Sequence, residues 1–360
     1  MNGLALLTVL LILAFGQRLI LKHFGLRGLH YTRRFNKRTA FEGESAELIE
    51  VIRNDRLLFI PWVRAESRIS PHLRFGRQEN LSVTGERYHK SIFTLRPFQQ
   101  ITRRHMVRLA HRGAYDAGNV SLTVGDLIST DGQNLQLYTP AKILVYPKLL
   151  DDKDLPLPVS RLQGDLIVRR HVITDPFLIN GIRPYQPGDQ RRDIHWPATA
   201  RMGNLQVKTH DYTADTKLLV LINAQMSEDQ WGDLMDYEQA VIENAISIAA
   251  SICLRVLQAG VAAGFAANMP ITDEKDSTTI LLPERNAGRD EELLSAFAQM
   301  KVLRSRNFLS FLEDLSFLRK TDILLISPYT SPAVEEKLNQ LRALGNTVTV
   351  HIMEKGGKIQ

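Results

Sequence analysis

KLLVLINA, residues 217–224, is an apolar run without alternation. A run this continuous does not suit a strand with one wet face. It reads as a strand buried on both sides, which a parallel sheet covered by helices requires. The chain beyond it keeps the same pattern. Residues 236–258 carry a long helical periodicity, 261–268 (VAAGFAAN) and 278–283 (TTILLP) read as strands, and 289–300 and 308–318 as helices. Then come a strand at 322–328 (DILLISP), a helix at 332–344 and a last strand at 347–353 (TVTVHIM). This alternation predicts an α/β domain over residues 217–360, Rossmann-like, with a mostly parallel sheet and helices on both faces.

Between residues 39 and 148 the period changes to two. ELIEVIRN, RAESRI, SIFTLRP, RHMVRLAHRG, VSLTVGD and AKILVYP are short alternating segments parted by Gly, Pro, Asn and Asp. They predict an all-β sandwich of the immunoglobulin-like sort. Within it, residues 93–113 (FTLRPFQQITRRHMVRLAHRG) place Arg and His on alternate positions, which reads as the solvated face of an edge or hairpin strand. The stretch KLLDDKDLPLPVS marks the boundary, so residues 149–216 are read as a linker followed by a segment of unusual composition.

The N-terminus is uncharged and apolar from residue 3 to 15, and Leu19, Ile20 and Leu21 extend the run. As a helix, residues 3–21 would span about 28 Å, close to the thickness of a bilayer core. No Lys or Arg precedes the run, whereas Arg18, Lys22, Arg27, Arg33, Arg34, Lys37 and Arg38 follow it, and no acidic residue appears until Glu42. The expectation is a transmembrane anchor at residues 1–24 and a basic juxtamembrane segment at 25–38 resting on anionic headgroups. The chain would be single-pass in the inner (plasma) membrane with its bulk in the cytoplasm. That segment accounts for much of the net charge of +6, so nucleic acid is not an expected partner. The single cysteine, Cys253, excludes an internal disulfide framework and lies in a helical pattern of small and apolar residues, where it reads as packing.

The densest chemistry lies at residues 181–204, GIRPYQPGDQRRDIHWPATARMGN. Pro187, Gly188 and Asp189 suit a tight turn, and a helix over residues 190–196 would place Arg192 one turn from Trp196, in reach of stacking. Asp189 and Asp193 have Arg183, Arg191 and Arg201 as possible partners. The block resembles the signature of the domain-of-unknown-function-58 family, at Arg183, Tyr185, Pro187, Gly188, Asp189, Arg192, Ile194, His195, Trp196, Ala200 and Arg201. Residues 112–129 (RGAYDAGNVSLTVGDLIS) and LVYP at 144–147 resemble further blocks of that family. The resemblance implies a von Willebrand factor A-like domain and a MoxR-type AAA+ ATPase as partner. Two N-terminal membrane segments are common in the family, and one is found here.

An A-type domain binds its cation with Asp-x-Ser-x-Ser after the first strand. Here Asn223 and Gln225 replace the Asp and the first Ser, Ser227 matches, and Pro328 stands where a later acidic ligand is expected. Mg²⁺ requires carboxylate oxygen, and amides with a hydroxyl supply no charge for it, so no metal and no cofactor are expected. Glu228, Asp229 and Asp233 lie nearby at helix-start positions. The chain has no HExxH, nucleophile elbow, Walker loop or GxGxxG after a strand. The expected function is a non-enzymatic scaffold or adaptor that binds partner proteins through Arg183, Tyr185, Asp189, Arg192, His195, Trp196 and Arg201; no small-molecule substrate is expected. Two other readings stay open: a metal-dependent ligand-binding A-type domain, and a hydrolase using Asp189 and His195, with Asp193 and His210 nearby.

Overall fold

The computed structural model describes residues 24–76, 81–84, 88–125, 133–156, 161–162, 164–166, 174–212, 216–230, 234–271 and 277–353, with a few positions before residue 24. They fall into two compact units, Met1–Lys148 and Leu149–Gln360. The apolar stretch expected to form a membrane anchor, residues 3–21, lies for the most part outside the described residues.

The first unit is built from three sheets. One sheet orders β1 (Leu29–Phe35), β3 (Ser45–Asn54), β8 (Gln100–Leu109) and β5 (Leu73–Phe75). The second orders β11 (Gln133–Tyr138), β10 (Asn119–Gly125), β4 (Ile60–Arg68), β7 (Tyr88–Leu95) and β6 (Leu81–Thr84). A small third sheet joins β2 (Thr39–Phe41), β12 (Lys142–Tyr146) and β9 (Gly113–Asp116). The strands bury alternate residues: Ala46, Leu48, Glu50, Ile52 and Asn54 of β3 all face inward. Tyr31 and Ile52 of the first sheet pack on Val63, Ala65, Phe93, Leu122 and Val124 of the second, which makes the unit a sandwich.

Two sequence expectations change here. The segment expected to be a basic juxtamembrane tether, residues 25–38, instead contains β1, paired with β3 from Leu29↔Asn54 to Phe35↔Leu48. Tyr31, Arg33 and Phe35 share its inward face, so Arg33 is buried instead of resting on headgroups. Likewise β8 is no edge strand, since it lies between β3 and β5, and His105 sits on its inner face with Val107 and Leu109.

The second unit holds a five-stranded sheet of order β17-β16-β15-β18-β19. Its members are β15 (Lys217–Ile222), β16 (Ala262–Ala267), β17 (Thr279–Glu284), β18 (Asp322–Ser327) and β19 (Thr347–Ile352). Pairings β15–β16, β15–β18 and β18–β19 are parallel, while β17 closes one edge antiparallel. The central strand has every residue after Lys217 buried, as its unbroken apolar run requires. Helices cover both faces. Asp236–Gln258 and Arg289–Gln299 pack one side with Phe265 stacked on Phe297 at 3.8 Å, and Phe308–Asp314 and Pro332–Ala343 pack the other. The helix expected to reach residue 318 thus ends at Asp314. Among the described residues Asp236–Gln258 is the one helix long and apolar enough to cross a membrane, and 61% of its apolar window is buried within the unit. Cys253, on this helix, is buried in the core.

Residues 149–216 are more than a linker. β13 (Thr174–Pro184) and β14 (Gln206–Tyr212) pair antiparallel, and a one-turn 3-10 helix at Arg191–Asp193 and the α-helix Trp196–Met202 lie between them. Leu155, Leu162 and Leu166 are buried in the core under the α/β sheet.

Candidate functional site

In a sheet of this order the chain leaves the central strand in both directions, and the crevice falls at the carboxyl ends of β15 and β18. The side chains there bind one another. Asn223, fully buried, donates from Nδ2 to Ser327 Oγ at 3.0 Å, and its Oδ1 accepts from the Gln225 N–H at 2.9 Å. Asn268 Oδ1 accepts from Ala224 N–H at 2.8 Å, and Gln225 Oε1 accepts from Phe308 N–H at 2.6 Å. The Ser327 hydroxyl donates to the Tyr329 carbonyl at 2.5 Å. Pro328 is buried and Ser227 exposed. Thus Asn223 and Gln225 spend their polar atoms on loops of the same unit. The network contains no carboxylate, and a hard divalent ion would meet neutral oxygens already in use. Burial, together with the charges of Glu228 and Asp229, raises the Tyr329 hydroxyl, so two carboxylates lie in range of the network; Asp233 lies outside the described residues.

The signature segment forms a small module on the β13–β14 hairpin. Ile194 bridges to Val207, His195 N–H donates to Gln206 carbonyl at 2.7 Å, and Ile194 and Val207 are buried. That bridge interrupts the helix expected over residues 190–196. Trp196 therefore opens a new helix instead of ending an old one, and Arg192 lies 4.0 Å from Asp193, not stacked on the indole. His195 caps the new helix: its Nδ1 accepts from the Ala198 N–H at 3.1 Å, which leaves Nε2 to carry the proton of the neutral ring. Gly203, at φ +73°, ends the helix in the left-handed conformation that glycine adopts freely.

Asp189 and Arg183 meet as a two-pronged pair, Nη1 to Oδ2 at 2.7 Å and Nη2 to Oδ1 at 2.6 Å, while Gln186 N–H donates to Oδ2 at 2.7 Å. The Arg183 hydrogen bonds, with the Gln186 amide, hold the Asp189 carboxyl below its ordinary range. Asp189 is thus the clasp of its turn and His195 a helix cap, separate tasks that assemble no acid–base pair. By contrast Trp196 is 64% and Met202 68% exposed, and Ile182, Tyr185, Leu205, Arg192 and Arg201 are exposed with them. His210 lies on β14, with its side chain outside the described residues.

A third constellation escaped the sequence reading. Inside the sandwich, Glu50, His89 and His105 offer ligand atoms within 4.8 Å of one another, all buried. Glu50 Oε1 accepts from Tyr31 Oη at 2.6 Å and Arg33 Nη2 at 2.7 Å, and Oε2 pairs with Ser91 Oγ and His105 Nε2, each at 2.8 Å. Arg33 Nη2 also reaches His89 Nδ1 at 2.8 Å, and Nη1 donates to Ser67 Oγ and the Ala117 carbonyl. The guanidinium occupies the ground between Glu50 and His89 that a metal ion would need, so it serves as the internal cation. Burial alone would raise the Glu50 carboxyl, but the His105 hydrogen bond and the Arg33 charge outweigh it and hold the group well below the carboxylate range. Burial, reinforced by Arg33, lowers His89 to about 3. His89 Nε2 is buried without a partner. The sequence signal was parity: Arg33, Glu50 and His105 each stand at the inward positions of an alternating strand.

Residues 181–356 match the family described as "Protein of unknown function DUF58". No curated protein matches the chain. Among solved structures it is similar to a CARDB domain from Pyrococcus furiosus, at 12% identity over 33% of this chain and 96% of that one, with a TM-score of 0.21. It is similar also to a non-cellulosomal cohesin from the archaeon Archaeoglobus fulgidus, at 11% identity over 32% of this chain and 90% of that one, with a TM-score of 0.24. At these scores neither likeness carries an argument, and the sandwich rests on its own strand pairings.

Proposed function

We propose that this chain, matching the DUF58 family over residues 181–356, is a non-enzymatic scaffold or adaptor. In this reading residues 1–24 anchor it in the inner membrane, the bulk faces the cytoplasm, and its α/β unit is a von Willebrand A-like domain whose cation site has been given up. Its partner by family resemblance is a MoxR-type AAA+ ATPase, which would supply the energy for maturing a protein or complex.

The observation that carries the proposal is the exposure of Trp196 and Met202 on a module that is otherwise tightly tied down. A free indole on a rigid support is a poor surface for a monomer and a good anchor for a partner. At roughly 25 cal/mol per Å², seating it contributes on the order of 2–4 kcal/mol. Arg192 and Arg201 beside it suit an interface with acidic groups on the other side. The network of Asn223, Gln225 and Ser327, whose neutral oxygens are spent within the unit, supports binding that needs no divalent ion.

Co-purification of the detergent-solubilised full chain from its native host, in EDTA and in ATP with Mg²⁺, tests this reading. Retention of an AAA+ ATPase under both conditions is expected. Absence of any ATPase under both, or retention in ATP with Mg²⁺ but not in EDTA, would overturn it.

A further inference from the structure

One end of the sandwich presents exposed apolar tips. Leu21, the last residue of the apolar N-terminal run, is 3% exposed and packs in the core with Tyr31, Ile52 and Val124. From there Gly25 N–H donates to the Leu21 carbonyl, Arg27 N–H to Phe24 and Leu29 N–H to Leu26, so the chain turns directly into β1. Leu21 is thus seated in the core of the sandwich itself.

Two loops meet that turn at the same end. Asp55 N–H donates to the Gly28 carbonyl at 3.0 Å, Phe98 N–H to the Arg56 carbonyl at 3.1 Å, and Asn54 Nδ2 to the carbonyls of Leu58 and Arg96 at 2.7 and 3.0 Å. Arg56 packs over Gly28, where a Cβ would stand 2.6 Å from its Nε, and φ there is +67°. On this braced support Leu57 is 79% and Phe98 67% exposed, and Phe24 and Phe59 are exposed as well. Phe98 holds φ at +51°, a conformation that costs an aromatic residue and persists only where the surroundings impose it. Arg27, Arg56 and Arg96 are set among these tips, with Arg27 5.2 Å from the centre of the Phe24 ring. Among the described residues the acid at this end is Asp55, engaged by Arg53 and by His30 at 3.3 Å; Asp126 and Asp131, between β10 and β11, lie outside them. At the opposite end the β2–β3 turn carries Glu42 and Glu44, which meet the Arg112 N–H at 3.1 Å and Lys37 at 3.5 Å.

We propose that this end of the sandwich lies in the headgroup boundary of an anionic bilayer, with Leu57 and Phe98 on the acyl side and Arg27, Arg56 and Arg96 on lipid phosphates. Apolar tips ringed by arginine are what such a boundary accommodates and what water does not. The inference rests on the anchored reading above, since the anchor brings these loops to the surface, and it makes the sandwich a fixed pedestal at the membrane.

The test uses the full chain in phosphatidylglycerol and phosphatidylcholine nanodiscs, with a polarity-sensitive dye on Leu57→Cys or, at the far end, on Glu44→Cys. The native thiol, Cys253, is buried and pushed up to about 12, so labelling is confined to the new cysteine. In phosphatidylglycerol, nitroxide lipids should quench the label at position 57 several-fold more than the one at 44, and aqueous iodide should do the reverse. Substituting Arg27, Arg56 and Arg96 together by Gln should weaken the lipid quenching. Iodide quenching alone at position 57 would overturn the proposal, and so would shielding from both quenchers, which would place protein over the loops. Equal lipid quenching in phosphatidylcholine would overturn the role given to the arginines. Failure of the chain to co-elute with nanodiscs would overturn the anchored reading itself, and this proposal with it.

Discussion

At Asn223 one nitrogen decides what the crevice of the α/β unit does. Its Nδ2 donates to Ser327 Oγ, and a carboxylate in its place would put a charge and a lost donor into a site with no exposure. Asn223→Asp should therefore cost about 1–3 kcal/mol, read as a lower melting temperature, and Mg²⁺ should leave the unsubstituted chain's melting unchanged. Glu50 is the second such residue. Removing its charge leaves Arg33 buried and uncompensated, so Glu50→Gln should destabilise the sandwich by about 3–5 kcal/mol. The pH dependence follows from the same cluster. Folded His89 titrates near 3 against 6.5 for the ordinary group; between those values the unfolded chain holds a proton that the native chain does not. Stability therefore falls as pH drops from about 6.5 towards 3, and Glu50, whose folded value is depressed, adds its own loss below about pH 4.3. Hydrogen exchange of β1, β3 and β8, followed from neutral to about pH 4.5, should show protection declining, with His89→Gln flattening the upper part of the curve. Protection independent of pH would contradict the assignment.

Among the elements, those with a strong period were legible and those set by pairing were not. The run at residues 217–224 and the helix Asp236–Gln258 declare themselves because burial on two faces and a 3.6-residue stripe are local patterns. β1 was missed because its arginines read as a juxtamembrane run resting on lipid headgroups. Only the fold supplies Glu50 as the partner that lets Arg33 turn inward. The signature segment was legible as dense chemistry, and its Arg183–Asp189 pair was among those anticipated, but the Ile194–Val207 bridge that splits its helices joins positions no local period connects. Its cap is testable by itself. His195→Ala removes the acceptor for Ala198 N–H and should loosen the helix Trp196–Met202 by about 1 kcal/mol, seen as faster exchange at the amides of residues 198–202 with the α/β core unchanged. Loss of protection across the whole sheet would instead give His195 a larger structural role.

For the whole molecule, among the described residues, each of the two units carries a surface with large apolar side chains that its own core does not use. In the first it is the loop end with Leu57 and Phe98, beside the apolar N-terminal run. In the second it is the signature module with Trp196 and Met202, while the crevice at the sheet's carboxyl edge is sealed by its own amides. On the reading proposed above, the first surface would meet the membrane and the second a partner protein. The most direct test is partner retention by Trp196→Ala beside the unsubstituted chain, with melting measured on both. The indole is exposed, so melting should stay within about 0.5 kcal/mol of the original, while retention of the ATPase should fall roughly tenfold or more. Full retention by the variant, or loss that appears only together with a lower melting temperature, would contradict the account.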